Sequence, residues 1–439
     1  MTIRNAQVVK GATTRSAKHM RTSAAVQAYQ KEYFMNIKDR VSQGEPFIYS
    51  GVMVPHEIFE AMDIPFVVSA WWMAINAAKR LSGYWRERAD KERSEQGYDR
   101  FGLCSRCGTG WATIAEDDPD RLAYGGLPKI TAVVDSEGRC PGAAKASELE
   151  LRQYRQRGWN IPVFTLEETA PPPYYPRYEN WWEKVIDHWD EVIEPHRLDY
   201  RVEELKALIR FLEVTTRRTF NQNKLIEVLE MANEQNLWWR KARDLIAKTS
   251  PAPVDVVDQT SNYPAQWHRG TPQGLALAKM FYEETKERVE KGEAVYPNEK
   301  IRVQWLKAGN WADTAFYQYF ADKYGAVFVN SLYLSIASDG YPRNLLNDPL
   351  RSLASRHIML GLYAGNGWYL HDAKLHNCKA AVMYDTNCQT VTHTGPLMTK
   401  LSYEAAGIPL CVISPSWDAE KMRSTFSSFI ETRILAKQT

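Results

Sequence analysis

The sequence predicts an α/β protein with two doubly wound parallel sheets and a helical domain between them. Three observations carry this. Short apolar or β-branched runs alternate with helical stretches near both ends of the chain, the pattern of strand–helix–strand units. From Glu179 to about Lys248 only helical periodicity appears, with Leu205, Leu208, Ile209 and Leu212, then Leu225, Val228 and Leu229, recurring at helical spacing. Two proline-rich breaks, Ala170-Pro-Pro-Pro-Tyr-Tyr-Pro176 and Ser250-Pro-Ala-Pro253, bound that region. The expected division is an N-terminal arm and helix over 1–45, a first α/β domain over 46–170, a helical domain over 171–299 and a second α/β domain over 300–439.

The elements follow in order. Residues up to about Ala25 are polar and basic with no apolar signal core, and read as a flexible arm or one that wraps a partner subunit. Phe47-Ile-Tyr-Ser50 is a strand and Gly51 its turn; Pro55, with Glu57 and Glu60 behind it, opens a helix. Asp63–Ser69, Ile130–Val134 and Ile161–Leu166 are further strands, with a helix after Cys140. A long amphipathic helix runs from about Pro272 to Lys291 and stops at Gly292. Ile301–Leu306 is the next strand, followed by a turn at Gly309-Asn310 and a helix over Thr314–Lys323 that ends at Gly325. Ala326–Asn330 and Ala380–Tyr384 are strands, Pro396–Ala406 a helix ending at Gly407, and Ile408–Ile413 the last strand. Both α/β domains are expected to wind in Rossmann/flavodoxin-like fashion, with sites outside the carboxyl ends of their strands.

Composition narrows the function classes. At 439 residues, with 44% hydrophobic and 25% charged residues, the chain is globular and long enough for two or three domains. A formal net charge of +2 offers no electrostatic case for nucleic acid or an anionic membrane as partner. The longest apolar runs, around Phe66 and Ala326, are strand-length, so no membrane span is expected. Six irregularly spaced cysteines are too few for a disulfide scaffold and fit a reduced, cytoplasmic setting. Fifteen tryptophans and 23 tyrosines fit either a flat apolar pocket or a large subunit interface.

The cysteines are the candidate site. Cys104, Cys140 and Cys388 each sit at a seam between an apolar run and a polar or helical segment, the kind of place from which an iron–sulfur site is assembled between domains. Cys140 follows the run Thr131-Ala-Val-Val and precedes Pro141 at a helix start. There the free N–H groups and the positive dipole end favour a thiolate or an anionic cluster. Cys107 competes with Cys104, because Cys-x-x-Cys also serves zinc or redox chemistry. Cys411, inside an apolar strand, and Cys378, with no motif around it, read as structural. His56, His357, His393 and Glu57 could move protons near a substrate. His56, at a strand–helix junction, and His393, five residues after Cys388, are the preferred pair. No Gly-x-Gly-x-x-Gly follows a strand and there is no P-loop.

Several segments taken together resemble the 2-hydroxyacyl-CoA dehydratase D-component superfamily, which includes the substrate-binding subunits of ATP-dependent benzoyl-CoA reductase. They are Gly51-Val-Met-Val-Pro55-His-Glu57, the cysteine after Leu103, Cys140-Pro-Gly-Ala-Ala-Lys145, Arg302-Val-Gln-Trp-Leu-Lys-Ala-Gly309, Asp348-Pro-Leu-Arg-Ser-Leu-Ala354-Ser-Arg356, and Cys388 with the later Ala405-Ala-Gly-Ile-Pro409. The resemblance runs from about Phe47 to Glu431, and its strength lies in order and spacing. Cys104-Ser-Arg-Cys-Gly-Thr-Gly110 and the aromatic load look most like the larger non-ATPase subunit of benzoyl-CoA reductase. Relatives often carry an aspartate after the second cysteine; Pro141 stands there here, so that carboxylate has no role in this chain.

The resemblance implies a [4Fe–4S] cluster held by Cys104, Cys140 and Cys388, with one iron left to a non-cysteine ligand. It implies a homologous α/β iron–sulfur subunit as partner and ATP-hydrolysing activator subunits fed by ferredoxin. The substrate would be an aromatic acyl-CoA, benzoyl-CoA, reduced to a cyclic diene, with Trp71, Trp72, Trp111 and Trp368 as candidates for its pocket. The alternatives are a subunit of a 2-hydroxyacyl-CoA dehydratase, where water is eliminated and the electron returned, and a non-catalytic scaffold subunit.

Overall fold

The computed structural model describes residues 16–76, 82–95, 110, 112–136, 141–167, 188–189, 191–307, 309–310, 313–337, 348–362, 366–384, 395–413 and 419–437. Cys104, Cys107, Trp111, Cys140, Cys388 and His393 lie outside the described residues. Two four-stranded parallel sheets organise the chain. The first contains β1 (Ile48–Ser50), β2 (Phe66–Val68), β3 (Ala132–Ser136) and β4 (Val163–Leu166), in the order β2-β1-β3-β4. The second contains β5 (Ile301–Leu306), β6 (Ala326–Ser331), β7 (Ala380–Tyr384) and β8 (Leu410–Ile413), in the order β6-β5-β7-β8. Every pairing is parallel, with Ile48 opposite both Phe66 and Ala132, and Val303 opposite Ala380. Each sheet therefore adds its second strand on one side of the first and its third and fourth on the other.

Helices connect these strands. In the first half they are α1 (Arg21–Ser42), α2 (His56–Ala61), α3 (Ser69–Asn76), α4 (Ser82–Glu95) and α5 (Pro141–Gln156). Between the sheets lie α6 (Pro195–Thr216), α7 (Gln222–Lys248), α8 (Val256–Asn262) and α9 (Pro272–Glu290). The second half holds α10 (Ala315–Tyr324), α11 (Leu332–Ala337), α12 (Pro349–Leu362), α13 (Asn366–Leu375), α14 (Gly395–Ala405) and α15 (Ala419–Phe429). Local signals explain several boundaries. Asn221 caps α7 by accepting from the amides of Asn223 and Lys224 at 2.9 and 3.2 Å, a contact worth about 1 kcal/mol. Gly325 ends α10 at φ +63°, and a Cβ there would collide with the Asn298 carbonyl. Among the described residues, no helix is long and apolar enough to cross a membrane.

The second sheet sorts its side chains by strand alternation. Ile301, Val303, Trp305, Phe328, Ala380 and Val382 face a core closed by Phe316 and Phe320 of α10 and Phe426 of α15. Val327, Val329, Ala381 and Met383 face the opposite way. They join a continuous core that runs through Leu229, Trp239 and Phe281 of the intervening helices to Val134 and Ile48 of the first sheet.

Arg302 ties the helical region to the second sheet. Its buried guanidinium donates to the carbonyls of His376, Thr249 and Ile246 at 2.6, 2.8 and 3.1 Å and to Glu299 Oε1 at 3.0 Å. Lysine would keep the charge but cannot span acceptors arranged around a planar fork. Arg302→Lys is expected to cost about 3 kcal/mol, read as a clear drop in thermal unfolding midpoint, and an unchanged midpoint would refute this bracing role.

The start of the chain departs from expectation. Residues 16–25, read above as part of a loose arm, pack against the chain itself. Ser16, Thr22 and Ser23 are buried, and the Ser16 hydroxyl donates to the Thr314 carbonyl. α1 has no side-chain cap of its own at Met20. Its orphan amides are taken by remote carboxylates: Asp258 accepts from Met20 N at 3.2 Å, and Glu284 from Arg21 N and Thr22 N at 2.7 and 2.8 Å. Basic composition alone does not reveal such caps.

Candidate active site

In an open parallel sheet of this order, winding reverses between the first and third strands, and ligands bind outside the carboxyl ends there. In the first sheet that point lies between β1 and β3. Gly51, just past β1, donates its amide to Val134 O at 2.8 Å, and a Cβ on it would run into the Asp135 carboxylate. In the second sheet the equivalent point lies between β5 and β7. Cys140 is the fourth residue past Ser136, where β3 ends, and Cys388 the fourth past Tyr384, where β7 ends. Both cysteines thus follow the third strand of their sheet by the same number of residues, in two like-ordered sheets. The helix expected after Cys140 is present and opens on Pro141. Gly110, which closes the Cys104–Gly110 segment, packs between α3 and α5: a Cβ on it would lie 2.7 Å from Met73 Sδ and 3.1 Å from Glu150 Oε1.

His56 is fixed at the floor of this region. Its ring stacks on Phe66 with centroids 5.0 Å apart, and its Nε2 lies 3.1 Å from both the Gly51 carbonyl and Ser50 Oγ. A carbonyl only accepts, so Nε2 carries the proton in this arrangement. Burial, with help from Arg269, pushes the imidazole down to about 4, so it is neutral near pH 7. Its evident work is to brace the turn from β1 into α2. His268 continues the aromatic wall, 4.4 Å from the Tyr33 ring and itself pushed by burial down to about 3.

The carboxyls nearby behave oppositely. Glu57 is buried at 1% exposure, and its Oε1 makes no hydrogen bond. Burial first, then Asp63 and Glu57, push the Glu60 carboxyl up to about 8. Burial and the Asp135 carboxylate do the same to Glu150, also to about 8. Glu60 and Glu150 therefore hold protons near neutral pH, as a general acid must. Neither stood out in the sequence as a proton donor. Glu60 had the look of a first-turn acid, and the usable signal for Glu150 is that it lies four residues before the buried Tyr154 on α5.

Glu150 carries a pH prediction. A carboxyl raised from 4.5 to about 8 on folding adds stability that is full below the lower value and lost as pH rises through the upper one. The thermal midpoint of Glu150→Gln should fall less than that of the parent chain between about pH 5 and 8. Equal slopes in the two proteins would mean that Glu150 is ionised throughout.

Over residues 51–432 the sequence matches the family described as 2-hydroxyglutaryl-CoA dehydratase, D-component. The chain belongs to this family. It is also similar to the (R)-2-hydroxyisocaproyl-CoA dehydratase alpha subunit of Clostridioides difficile, at 22% identity over 304 residues, 69% of this chain and 67% of that subunit.

For a D-component chain the question is whether the residues present fit an iron–sulfur cluster. Both described cysteines are unsuited to ligation: Cys378 and Cys411 are buried, and burial pushes each thiol up to about 12. That leaves Cys104, Cys107, Cys140 and Cys388, of which Cys140 and Cys388 each follow a third strand by four residues, and an iron–sulfur cluster takes thiolate donors from separate segments. Of the other D-component candidates, His357 is buried in α12. Trp71 and Trp72 are core residues, Trp72 stacking on Phe34 at 5.7 Å and donating Nε1 to Thr113 Oγ1 at 3.1 Å. Trp368 packs half-buried against the same core.

Proposed function

We propose that this chain is the iron–sulfur, substrate-binding subunit of a hetero-oligomeric enzyme that works on acyl-CoA thioesters by one-electron chemistry, with dehydration of a 2-hydroxyacyl-CoA as its reaction. The observation that carries the reading is the matching placement of Cys140 and Cys388 past the third strands of two like-ordered sheets, in a D-component chain. Cys104, Cys140 and Cys388 would hold a [4Fe–4S] cluster with one iron free of cysteine. When bound, such a cluster supplies single electrons at low potential to a thioester carbonyl.

The chain's own residues would do the rest. Glu150 holds a proton at neutral pH beside Asp135 of β3, Glu60 holds another on α2, and Glu57 offers a buried oxygen free of hydrogen bonds. His56 keeps the turn from β1 into α2 rigid, and His393, five residues after Cys388 in sequence, is a second candidate proton carrier. The absence of a nucleotide fingerprint assigns ATP hydrolysis to an activator partner, with ferredoxin as donor and a homologous subunit alongside.

The Cys104–Gly110 segment and the aromatic load favour a second reading, in which the complex is a benzoyl-CoA reductase. An anaerobic assay of the reconstituted complex separates the two. A 2-hydroxyacyl-CoA converted to an enoyl-CoA without net electron consumption supports dehydration. A benzoyl-CoA ring reduced to a diene, with electrons and ATP consumed, supports the reductase. Full iron content with neither turnover would leave a scaffold subunit and overturn both.

A further inference from the structure

Away from the strand ends, three ligating side chains converge where the N-terminal segment meets α8. We propose that His19, Asp255 and Asp258 form a site for a divalent cation of the zinc type, which pins residues 16–20 to α8. One ligand atom from each residue lies within 4.8 Å of the others. Asp255 and Asp258 are buried at 1% and 0% exposure, and the His19 side chain is 24% exposed.

Unsatisfied atoms point to a missing group. Asp255 Oδ1 caps α8, accepting from Val257 N and Asp258 N at 3.0 and 3.1 Å, while its Oδ2 is buried with no hydrogen-bond partner of either kind. His19 Nδ1 is likewise buried without a hydrogen bond, although Asp258 Oδ2 lies 3.4 Å away. Asp258 is engaged on its other side by Met20 N at 3.2 Å and Ser23 Oγ at 2.7 Å. A buried carboxylate oxygen without a partner is costly. A cation satisfies Asp255 Oδ2 and His19 Nδ1 together, with Asp258 Oδ2, which also accepts from His19 N at 2.9 Å, as the third ligand.

Charge and donor type select the cation. The counter-charges beside the two buried carboxylates are the His19 imidazole, 3.4 Å from Asp258 Oδ2, and Arg288, which donates to the carbonyls of Pro253 and His19 at 2.8 and 3.3 Å and pairs with Glu293 at 3.6 Å. One imidazole and two carboxylates are a zinc donor set, whereas calcium and magnesium prefer oxygen alone. Ligand atoms around tetrahedral zinc sit about 3.3 Å apart, given bonds of about 2.0–2.1 Å. The His19–Asp258 pair already has nearly that spacing, and Asp255 must turn inward to complete the set.

The test uses the full chain, prepared anaerobically so that the loop thiols keep whatever iron they hold. Zinc is removed with a mild chelator and titrated back, with metal counted by mass spectrometry and the protection of residues 16–26 followed by hydrogen exchange. The expected result is a site whose zinc affinity falls tenfold or more in both His19→Gln and Asp255→Asn, and whose filling slows exchange in residues 16–26. Zinc held only by cysteines would be indifferent to both substitutions and would overturn the proposal, as would no zinc uptake at all. Should Asp255→Asn fail to fold, His19→Gln, at the half-exposed end of the site, decides alone. Equal affinity in His19→Gln and the parent chain would mean that only solvent occupies the gap.

Discussion

Replacing Cys140 or Cys388 by serine should strip most of the iron from the purified chain and abolish turnover, while Cys411→Ser should leave the iron in place. Serine preserves size but offers no thiolate, and iron–sulfur clusters of this type depend on thiolates. Cys411 makes the sharper control because its thiol is buried in the apolar core of the second sheet. Within Cys104-Ser-Arg-Cys107, Cys104→Ser should lose the cluster spectrum and Cys107→Ser keep it with a shifted potential, because Cys104 follows the apolar Phe101-Gly-Leu103 in sequence whereas Cys107 precedes Gly108-Thr-Gly110. Iron content, sulfide content and the visible spectrum are the measurements. Full iron in Cys388→Ser would sink the ligand assignment. Loss in both Cys104→Ser and Cys107→Ser would point to four protein ligands and no open iron.

Trp305→Ala should be the most damaging single core change. The indole is fully buried and packs edge-on to Phe316, Tyr317 and Phe328, with ring centroids 5.7, 4.9 and 5.7 Å away. Removing it leaves a cavity that β5, β6 and α10 cannot close together, at a cost of about 3–5 kcal/mol. Native domains are stable by only about 5–15 kcal/mol, so soluble yield should collapse and the remaining protein should melt many degrees lower. Val214→Ala, at a position 80% exposed, should change almost nothing. A Trp305→Ala protein with normal yield and melting would mean that this core is far more plastic than its packing implies.

How legible these features were depends on how local their causes are. β7 has the predicted ends because a strand buried on both faces reads as an unbroken apolar run, whereas β5 was legible from the alternation of Ile301, Val303 and Trp305 with Arg302 and Gln304. β8 begins at Leu410 rather than Ile408, since Ile408 still closes the helix before it by donating to Tyr403 O at 2.9 Å. α15 was not anticipated: its stripe of Ala419, Met422 and Phe426 is narrow and set among serines, threonine and charges. α8 was missed between two helices because it is short and follows a proline break. Strand order could not be read at all, because it is decided by pairings far apart in the chain. The turn at Gly51-Val-Met-Val-Pro55 was visible, but the raised carboxyls of Glu60 and Glu150 are products of burial, and no local pattern encodes burial at a single acid.

α1 is secured only by residues far later in the chain. α1 depends on Asp258 and Glu284 for its N-terminal amides, and these follow Met20 and Arg21 by 238 and 263 residues. At translation speeds of about 5–20 residues per second, the nascent chain waits roughly 10–50 s for them. Through that interval Val26, Phe34 and Ile37, all buried in the finished protein, have no core to enter. A chain stalled before residue 258 would present a frayed, sticky amphipathic segment, so synthesis rate and chaperone supply, more than intrinsic helix propensity, should govern how much of this protein survives expression.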